Sequence, residues 1–346
     1  MSLPPLVDEA ALERYLNEHL PDADGPLSAE RVIAGHSNET FFITRGGQSW
    51  VLRRPPLGPL LPTAHDVLRE YRVLSALSKT DVPVPAPVLV CEDTAVIGAP
   101  FYLMERKQGV VIRERLPAFV DTPVERRNLG LALVDALVEL HNVDWRAAGL
   151  EGFGKPEGYL ERQVRRWMGQ FDGARNRAIP ELDQVSVWLK DHLPESPPAT
   201  IVHGDYRMDN VMFANGLPVR VIAILDWEMS TLGDPLADLG YLLSFWRQAG
   251  DPELEFASPS WRITEPEGFP TRQEIAERYA AKTGRRIKDV AFYQALAIWK
   301  LAVLLEGSYK RHLSGTTDDP FFALLREGVP ALARRALAVC QGGVML

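Results

Sequence analysis

The feature that most constrains the fold of this 346-residue chain is a change in hydrophobic patterning near residue 106. Before it, short extended runs bounded by turn residues predict five strands, at 29–34, 40–44, 49–53, 88–92 and 101–105. The second and third runs are joined by Arg-Gly-Gly-Gln at 45–48. This sequence favours a hairpin turn, because glycine readily adopts the positive φ that such turns need. Helical spacing over 6–20 and 64–78 adds two helices, the second of them inside the sheet. The sequence therefore predicts an antiparallel sheet with one internal helix over residues 1–105.

After residue 106 the apolar residues recur at helical spacing. We predict helices over 123–141, 158–171, 182–192, 235–248, 271–282, 290–310 and 320–339. One compact β-like stretch, 200–228, interrupts them. These patterns predict an α+β protein with a sheet-rich lobe at 1–105, a mainly helical lobe at 106–346 and a ligand cleft between them.

Charge and cysteine content exclude several classes of protein. The formal net charge is −8, so a nucleic-acid partner is not expected. Cys91 and Cys340 are too few for a disulfide framework and too isolated for a metal site.

The sequence also predicts neither a signal peptide nor a membrane span. The first residues lack the basic start and apolar core of a signal peptide. The most apolar stretch, 290–305, is interrupted by Lys300 and closed by Glu306, which is typical of a buried helix. We expect a cytoplasmic protein without a membrane partner, and the sequence does not indicate an oligomeric state.

One run of residues carries most of the chemistry. Residues 201–213 read Ile-Val-His-Gly-Asp-Tyr-Arg-Met-Asp-Asn-Val-Met-Phe, a polar centre between apolar flanks. A buried strand at 221–225 then ends at Asp226. Asp205, Asn210 and Asp226 are oxygen donors of the kind that Mg²⁺ requires when it binds substrate phosphates. The five-residue spacing from Asp205 to Asn210 matches the catalytic loop of kinases.

These motifs resemble the aminoglycoside phosphotransferase and choline kinase superfamily. The resemblance rests on residues 203–210, on Ile-Leu-Asp-Trp-Glu at 224–228 and on Gly-Asp-Pro-Leu-Ala-Asp-Leu-Gly at 233–240. Residues 51–56 and 69–74 are most similar to one branch, the kinase-like domain fused to an acyl-CoA dehydrogenase in some animal proteins and its free-standing bacterial relatives. The resemblance implies a protein-kinase-like bilobal fold and transfer of the γ-phosphate of ATP to a hydroxyl group of a small-molecule acceptor.

The resemblance also implies roles for single residues in the second lobe. Asp205 is expected to be the catalytic base or to orient the acceptor hydroxyl, and Arg207 to lie near the transferred phosphate. Asn210 and Asp226 are expected to hold Mg²⁺.

Two further residues are expected to support the loop and not to react. Asp238 follows a Pro-at-N1 helix start, and we expect it to fix the loop around His203. For His203 itself, a hydrogen-bonded structural role is favoured over proton transfer.

In the first lobe the resemblance implies an ATP site without a lysine. The loop at 35–40 holds Ser37 and Asn38, whose side chains and backbone amides are expected to bind phosphate. The first lysine in the chain is Lys79, so the cation of the third strand must be an arginine. Arg53 aligns best, with Arg54 as the alternative, and Glu70 on the next helix is its expected partner.

Residues 101–107, Phe-Tyr-Leu-Met-Glu-Arg-Lys, are expected to be the hinge. Met104 would line the adenine pocket there, and the backbone around Glu105 would pair with adenine.

Other functions remain open from the sequence. Only seven residues, 227–233, separate Asp226 from the next helix start, too few for the peptide-binding segment of a protein kinase. A nucleotide-binding pseudokinase is the alternative if catalysis has been lost. No Gly-x-Ser-x-Gly elbow, P-loop or His-Glu-x-x-His motif favours a hydrolase.

The sequence indicates the chemical class of the acceptor less clearly than it indicates the nucleotide. Residues 145–190, where relatives bind it, hold eight basic and six acidic residues, including Arg162, Arg165 and Arg166. This balance disfavours a polycationic aminoglycoside and favours an anionic or apolar hydroxylated acceptor, such as a hydroxy acid or its CoA thioester. An aminoglycoside or amino-alcohol kinase is the alternative. A solvated arginine-rich helix face explains the same residues equally well.

Overall fold

The computed structural model describes residues 6–20, 24–32, 38–57, 66–251, 253, 259–315 and 321–343. It contains the antiparallel sheet and the helical region predicted from the sequence, and this α+β arrangement is the bilobal, protein-kinase-like fold.

A five-stranded antiparallel sheet forms the first lobe. Its strands are β1 (Leu27–Val32), β2 (Glu39–Arg45), β3 (Gln48–Arg54), β4 (Pro87–Cys91) and β5 (Phe101–Glu105). They lie in the order β1-β2-β3-β5-β4, so β3 is the central strand. Side chains of β3 alternate between the two faces of the sheet, and Arg53 and Arg54 therefore point to opposite faces.

Nine helices lie in the described part of the chain. They are α1 (Glu9–His19), α2 (Val67–Leu77), α3 (Pro123–Asn142), α4 (Tyr159–Ala174), α5 (Pro180–Asp191), α6 (Leu236–Phe245), α7 (Arg272–Thr283), α8 (Val290–Leu313) and α9 (Phe321–Cys340). Helix α3 begins with a capping box, in which Thr122 and Glu125 bond each other's backbone amides.

Five short strands lie among these helices and carry the loops of the site. They are β6 (Val110–Val111), β7 (Thr200–Val202), β8 (Val211–Phe213), β9 (Val221–Ile224) and β10 (Thr231–Gly233). Strands β6, β8 and β9 form one small sheet, and β7 pairs with β10. Strands of two or three residues have too little periodicity to be predicted, which is why β6 and β10 were missed.

The two faces of the five-stranded sheet belong to two different hydrophobic clusters. One face of the sheet packs on α1 in a separate cluster that includes Leu16 and Phe101. Helix α2 and Tyr102, on the other face, belong to the large core of the helical lobe. Helix α2 therefore links the sheet to the second lobe, which fixes Glu70 relative to the catalytic loop.

The helix predicted over 235–248 is shorter in the structure. It ends at Phe245 because Trp246 leaves the helical conformation and donates its indole N–H to the carbonyl oxygen of Pro270, at 2.8 Å. The amide of Arg247 then bonds the Thr264 hydroxyl at 2.8 Å. These tertiary bonds replace the last helical turn.

Helix α8 is long and apolar enough to cross a membrane by length and composition alone. In the structure most of it is buried, and it packs against α4, α6 and α9. It is the central helix of the second lobe. Its burial agrees with the buried helix predicted from the interruption by Lys300.

Candidate active site

The catalytic loop, residues 203–210, is held by a buried carboxylate from α6. Asp238 accepts the backbone N–H groups of His203 and Gly204, at 2.6 and 2.8 Å. Gly204 has a φ of +88°, and a Cβ there would lie 2.7 Å from the carbonyl oxygen of Met229. A side chain at this position would displace the loop, so the loop geometry requires glycine at residue 204. The expected role of Asp238 is confirmed.

His203 has the structural role expected of it. Its Nε2 lies 2.8 Å from the carbonyl oxygen of Leu225, and its ring packs edge-on to Trp227 at 4.8 Å. The backbone amide of Leu225 also donates to the carbonyl oxygen of Asn210, at 2.8 Å. Two hydrogen bonds thus join the catalytic loop to Leu225 at the end of β9. They fix the position of the next residue, Asp226.

Asp205 and Asn210 form a direct pair. The Nδ2 of Asn210 donates to Asp205 Oδ2 at 2.7 Å and to the Asp205 carbonyl oxygen at 2.9 Å. The Asp205 side chain is 25% exposed, so the carboxylate is oriented and still open to the cleft. Because Nδ2 of Asn210 is used in this way, its amide oxygen remains available as a metal ligand.

Arg207 lies between two carboxylates of the same loop. Its Nε is 3.1 Å from Asp209 Oδ1 and 3.5 Å from Asp205 Oδ1. Burial alone would lower the pKa of Arg207, but Asp205 and other nearby negative charges raise it. Burial raises the pKa of Asp209, and Arg207 opposes that shift. Arg207 therefore places a permanent positive charge beside Asp205, and Asp209 is a partner that the sequence did not single out.

Tyr241 of α6 is a second unpredicted neighbour of Asp205. Burial, and then the negative charge of the Asp205 carboxylate, raise the pKa of Tyr241 well above its ordinary value. The phenol thus stays protonated and can donate. No local motif marks Tyr241, because it reaches the site only through the packing of α6.

Arg53, Glu70 and Asp226 meet on the other side of the cleft. The Nη2 of Arg53 is 3.2 Å from Glu70 Oε2 and 3.3 Å from Asp226 Oδ1. Glu70 is only 1% exposed, and it also accepts the Tyr102 hydroxyl at 2.9 Å and the Asn38 side-chain amide. Burial would lower the pKa of Arg53, but Glu70, Tyr102 and Asp226 raise it. One guanidinium therefore joins strand β3, helix α2 and the end of β9.

Arg54 lies on the opposite face of the sheet. Its guanidinium donates to the carbonyl oxygens of Ile97, at 3.0 Å, and of Pro55, at 3.2 Å. It is buried away from the cleft, so the geometry favours Arg53 over Arg54 as the cation near the phosphates. Ser37 lies outside the described residues.

The two expected hinge residues end strand β5. Met104 is half-buried against the main core and pairs in register with Val51 of β3. Glu105 forms an ion pair with Lys107 at 2.8 Å and accepts the backbone N–H of Ala86. They lie at the junction of the two lobes, and whether either contacts a nucleotide stays a prediction.

The chemistry of the donor set fits a magnesium ion that shares its coordination with substrate phosphates. Asp226 follows β9 in the left-handed conformation, with a φ of +64°, and its side chain is 32% exposed. Together with Asn210 it offers two hard oxygen ligands. Among the described residues no group of three or more histidine, cysteine or acidic side chains could hold a metal alone. Mg²⁺ commonly uses one or two carboxylates plus substrate phosphates, so such a sparse set suits it.

The bridging position of Arg53 predicts a specific effect of Arg53→Lys. A lysine keeps the charge but loses the planar fork that reaches two carboxylates and a phosphate together. We expect the KM for ATP to rise about tenfold, the effect of one lost charge-assisted hydrogen bond, with a smaller change in kcat. Steady-state kinetics with varied ATP measures this. Arg54→Lys is the matched control and should leave the KM for ATP unchanged; an unchanged KM in Arg53→Lys would contradict the assignment.

This fold and this site together define a kinase-like phosphotransferase that acts on hydroxyl acceptors. The model of the phosphotransferase enzyme family, APH, matches residues 28–268, and the chain belongs to that family.

Individual relatives support the same assignment. The chain is 38% identical over 344 residues to acyl-CoA dehydrogenase family member 11 of Rattus norvegicus, covering 96% of this chain and 43% of the relative. It is 37% identical over 332 residues to the probable acyl-CoA dehydrogenase IBR3 of Arabidopsis thaliana, covering 90% and 40%. The chain thus spans less than half the length of these curated relatives.

Solved structures show the same fold. A crystal structure from Ralstonia eutropha JMP134, provisionally described as an aminoglycoside phosphotransferase, superposes with a TM-score of 0.82 at 35% identity, covering 97% of this chain and 98% of that one. A thermostable mutant of aminoglycoside phosphotransferase APH(4)-Ia, in ternary complex with AMP-PNP and hygromycin B, has a TM-score of 0.58 at 16% identity, covering 94% and 98%.

Proposed function

We propose that this protein transfers the γ-phosphate of ATP, with Mg²⁺, to the hydroxyl group of a hydroxy acid or of its CoA thioester. The observation that carries the proposal is the convergence of Asp205, Asn210, Asp226 and Arg53 on one cleft, with an apolar pocket beside Arg207. The first four supply a base, metal ligands and a phosphate-binding cation. The pocket offers apolar surface next to the catalytic loop.

The nucleotide half of the proposal rests on the residues around Asp226. Asn210 and Asp226 would hold Mg²⁺, which would supply positive charge to neutralise the phosphates of the nucleotide. Arg53 lies within 3.3 Å of Asp226 and would donate to the same phosphates. The structural relative in complex with AMP-PNP makes ATP the expected donor.

The acceptor half rests on the pocket that we call the aromatic pocket. It is a small pocket, with a cavity volume of about 30 Å³. Its walls are Ile112, Leu242, Phe245 and Trp261, and Arg207 and Asp209 of the catalytic loop close one end. Asp209 is its one carboxylate and is already paired with Arg207. An apolar chain suits this lining better than a polycationic antibiotic does.

The names of the curated relatives agree with this class of acceptor, since each is an acyl-CoA dehydrogenase family protein. A kinase region within such a protein would act on acyl compounds. By contrast, the expected arginine cluster contributes less. Arg162 donates to the carbonyl oxygens of Lys155 and Glu157, whereas Arg165 and Arg166 are exposed.

The transfer itself follows from the position of Asp205. Its carboxylate accepts the proton of the acceptor hydroxyl as the oxygen–phosphorus bond forms and the bond to the leaving ADP oxygen breaks. Asn210 keeps the carboxylate oriented, and Arg207 beside it stabilises the negative charge of the phosphoryl group in transit.

An acceptor screen tests the proposal. We expect ADP release with Mg²⁺–ATP and medium-chain hydroxy acids or their CoA thioesters, and a phosphomonoester signal in ³¹P NMR. Ethanolamine, choline and hygromycin B, as cationic acceptors, should give no more ADP than the protein alone. The Asp205→Asn variant, taken through the same screen, controls for contaminating kinases. Turnover restricted to the cationic acceptors would contradict the proposal.

A further inference from the structure

Helix α2 carries two arginines, Arg69 and Arg72, that contact the second lobe. They lie three residues apart, so they share one face of the helix. Both guanidinium groups lie near the ring of Phe153, which is buried: the Cζ of Arg69 is 3.8 Å from the ring centre and that of Arg72 is 5.9 Å. Glu70, the residue after Arg69, instead contacts Arg53 of the sheet. Helix α2 therefore bonds to the sheet and to the second lobe through adjacent side chains.

The two arginines bond to different segments of the second lobe. The Nη2 of Arg69 donates to the backbone carbonyl oxygen of Ser230 at 3.0 Å, and the Nη2 of Arg72 donates to that of Glu151 at 2.7 Å. Arg69 is half-buried, whereas Arg72 is exposed. Arg69 is the stronger attachment of the two, because water competes less there and its guanidinium lies closer to the aromatic ring.

Ser230 closes the turn that follows Asp226. Its backbone N–H and its hydroxyl both donate to the carbonyl oxygen of Trp227, at 3.0 and 2.6 Å. The same turn contacts the catalytic loop, where a Cβ on Gly204 would lie 2.7 Å from the carbonyl oxygen of Met229. The bond from α2 therefore reaches a segment that begins at the expected metal ligand and packs on the catalytic loop.

This attachment bears on Arg53, whose guanidinium contacts two carboxylates from different elements. Its Nη2 lies 3.2 Å from Glu70 of α2 and 3.3 Å from Asp226 at the end of β9. A shift of α2 by about 1 Å would take one of these contacts beyond hydrogen-bonding distance. The bond between Arg69 and Ser230 spans the same two parts of the molecule and so fixes their separation.

We propose that Arg69 is a positioning residue for the nucleotide site: it fixes Glu70 and Asp226 relative to each other and thereby holds Arg53 in place to bind phosphate. This inference rests on the proposed function, in which Arg53 binds the phosphates of ATP, and deepens it. The contacts involved all join protein groups, so α2 takes this position before the nucleotide arrives. Arg69 acts through Arg53 in this proposal, and the proton transfer stays with Asp205.

The first test measures the attachment itself, without nucleotide. Hydrogen–deuterium exchange of residues 224–233 compares wild type, Arg69→Met, Arg69→Lys and Arg72→Met. We expect Arg69→Met to raise the exchange rate there about tenfold, the effect of one lost bond to a charged group. Arg69→Lys keeps a cation near Phe153 and should stay near wild type. Residues 292–303 of α8 report general unfolding and should exchange equally in all four proteins.

Arg72→Met is the matched control. Arg72 lies on the same face of α2 and also bonds a backbone carbonyl of the second lobe, but that carbonyl belongs to Glu151 and not to the turn after Asp226. We expect exchange over 224–233 and nucleotide affinity to stay near wild type in this variant. An effect as large as that of Arg69→Met would show that any attachment of α2 has the same consequence, which would contradict the proposal.

A double-mutant cycle tests whether Arg69 acts through Arg53. Calorimetry measures the affinity for AMP-PNP with Mg²⁺. Arg69→Met alone should weaken binding about tenfold. In the Arg53→Lys background the fork that contacts Glu70 and Asp226 is already lost, so the same substitution should weaken binding less than about twofold. A purely structural defect would weaken binding equally in both backgrounds.

The outcomes distinguish the two proposals. Exchange over 224–233 that depends on Arg69, in a protein that does not bind AMP-PNP, would overturn the proposed ATP-dependent function and keep the positioning of Asp226 by α2. Equal exchange in wild type and Arg69→Met would overturn the inference whatever the nucleotide. An equal loss of AMP-PNP affinity with and without Arg53→Lys would also overturn it.

Discussion

Asp205→Asn is expected to lower kcat about 10³-fold, because the amide cannot accept the proton of the acceptor hydroxyl. The substitution preserves the size of the side chain and its place beside Asn210 and Tyr241. Binding of AMP-PNP with Mg²⁺ should therefore stay near the wild-type value. The measurements are kcat with saturating acceptor and nucleotide affinity by calorimetry.

Asp209→Asn is the matched control for this prediction. Asp209 lies in the same loop and contacts Arg207 at 3.1 Å, as part of the same charged group. If the loss in Asp205→Asn came only from one fewer negative charge beside Arg207, Asp209→Asn would show a loss of the same size. We expect a clearly smaller one. Asp205→Asn retaining more than about a tenth of wild-type kcat would contradict the role of Asp205 as base.

The parts of the site that depend on local sequence could be predicted. Asp205 and Asp226 follow the short apolar strands β7 and β9, and Asn210 directly precedes β8. The strand–loop–strand geometry brings the three residues together. Alternation along β3 predicts that Arg53 and Arg54 lie on opposite faces of the sheet, but only the structure shows that Arg53 is the one beside Asp226. The bounds of β5, Phe101–Glu105, agree with the predicted run at 101–105.

The parts that depend on tertiary packing could not be predicted. Tyr241 comes from α6, and nothing in its local sequence distinguishes it from other residues of buried helices. The pairing of Arg207 with Asp209 depends on the tight turn within the catalytic loop. The end of α6 was also misplaced, because the bonds of Trp246 and Arg247 to distant segments outweigh helix propensity.

The second large effect is expected from Asp226→Asn, which should weaken Mg²⁺-dependent nucleotide binding at least about 100-fold. A neutral amide oxygen is a poorer ligand for a hard cation than a carboxylate, and Arg53 loses one of its two carboxylate partners. Asparagine is the suitable substitution because it tolerates the left-handed conformation, with a φ of +64°, that Asp226 adopts. An alanine at this position would add backbone strain to the loss of the ligand.

Magnesium titrations distinguish this effect from that of Asp205→Asn. In wild type and in Asp205→Asn, AMP-PNP affinity should rise steeply as Mg²⁺ is added, since both retain Asp226. In Asp226→Asn the rise should shift to much higher Mg²⁺ concentrations, and activity should recover in part there. If Asp226→Asn bound AMP-PNP with the wild-type dependence on Mg²⁺, Asp226 would not be a metal ligand. Asp226 would then contribute only through its contact with Arg53. That contact links β9 to the sheet, in the same way that the contact between Glu70 and Arg53 links α2 to the sheet.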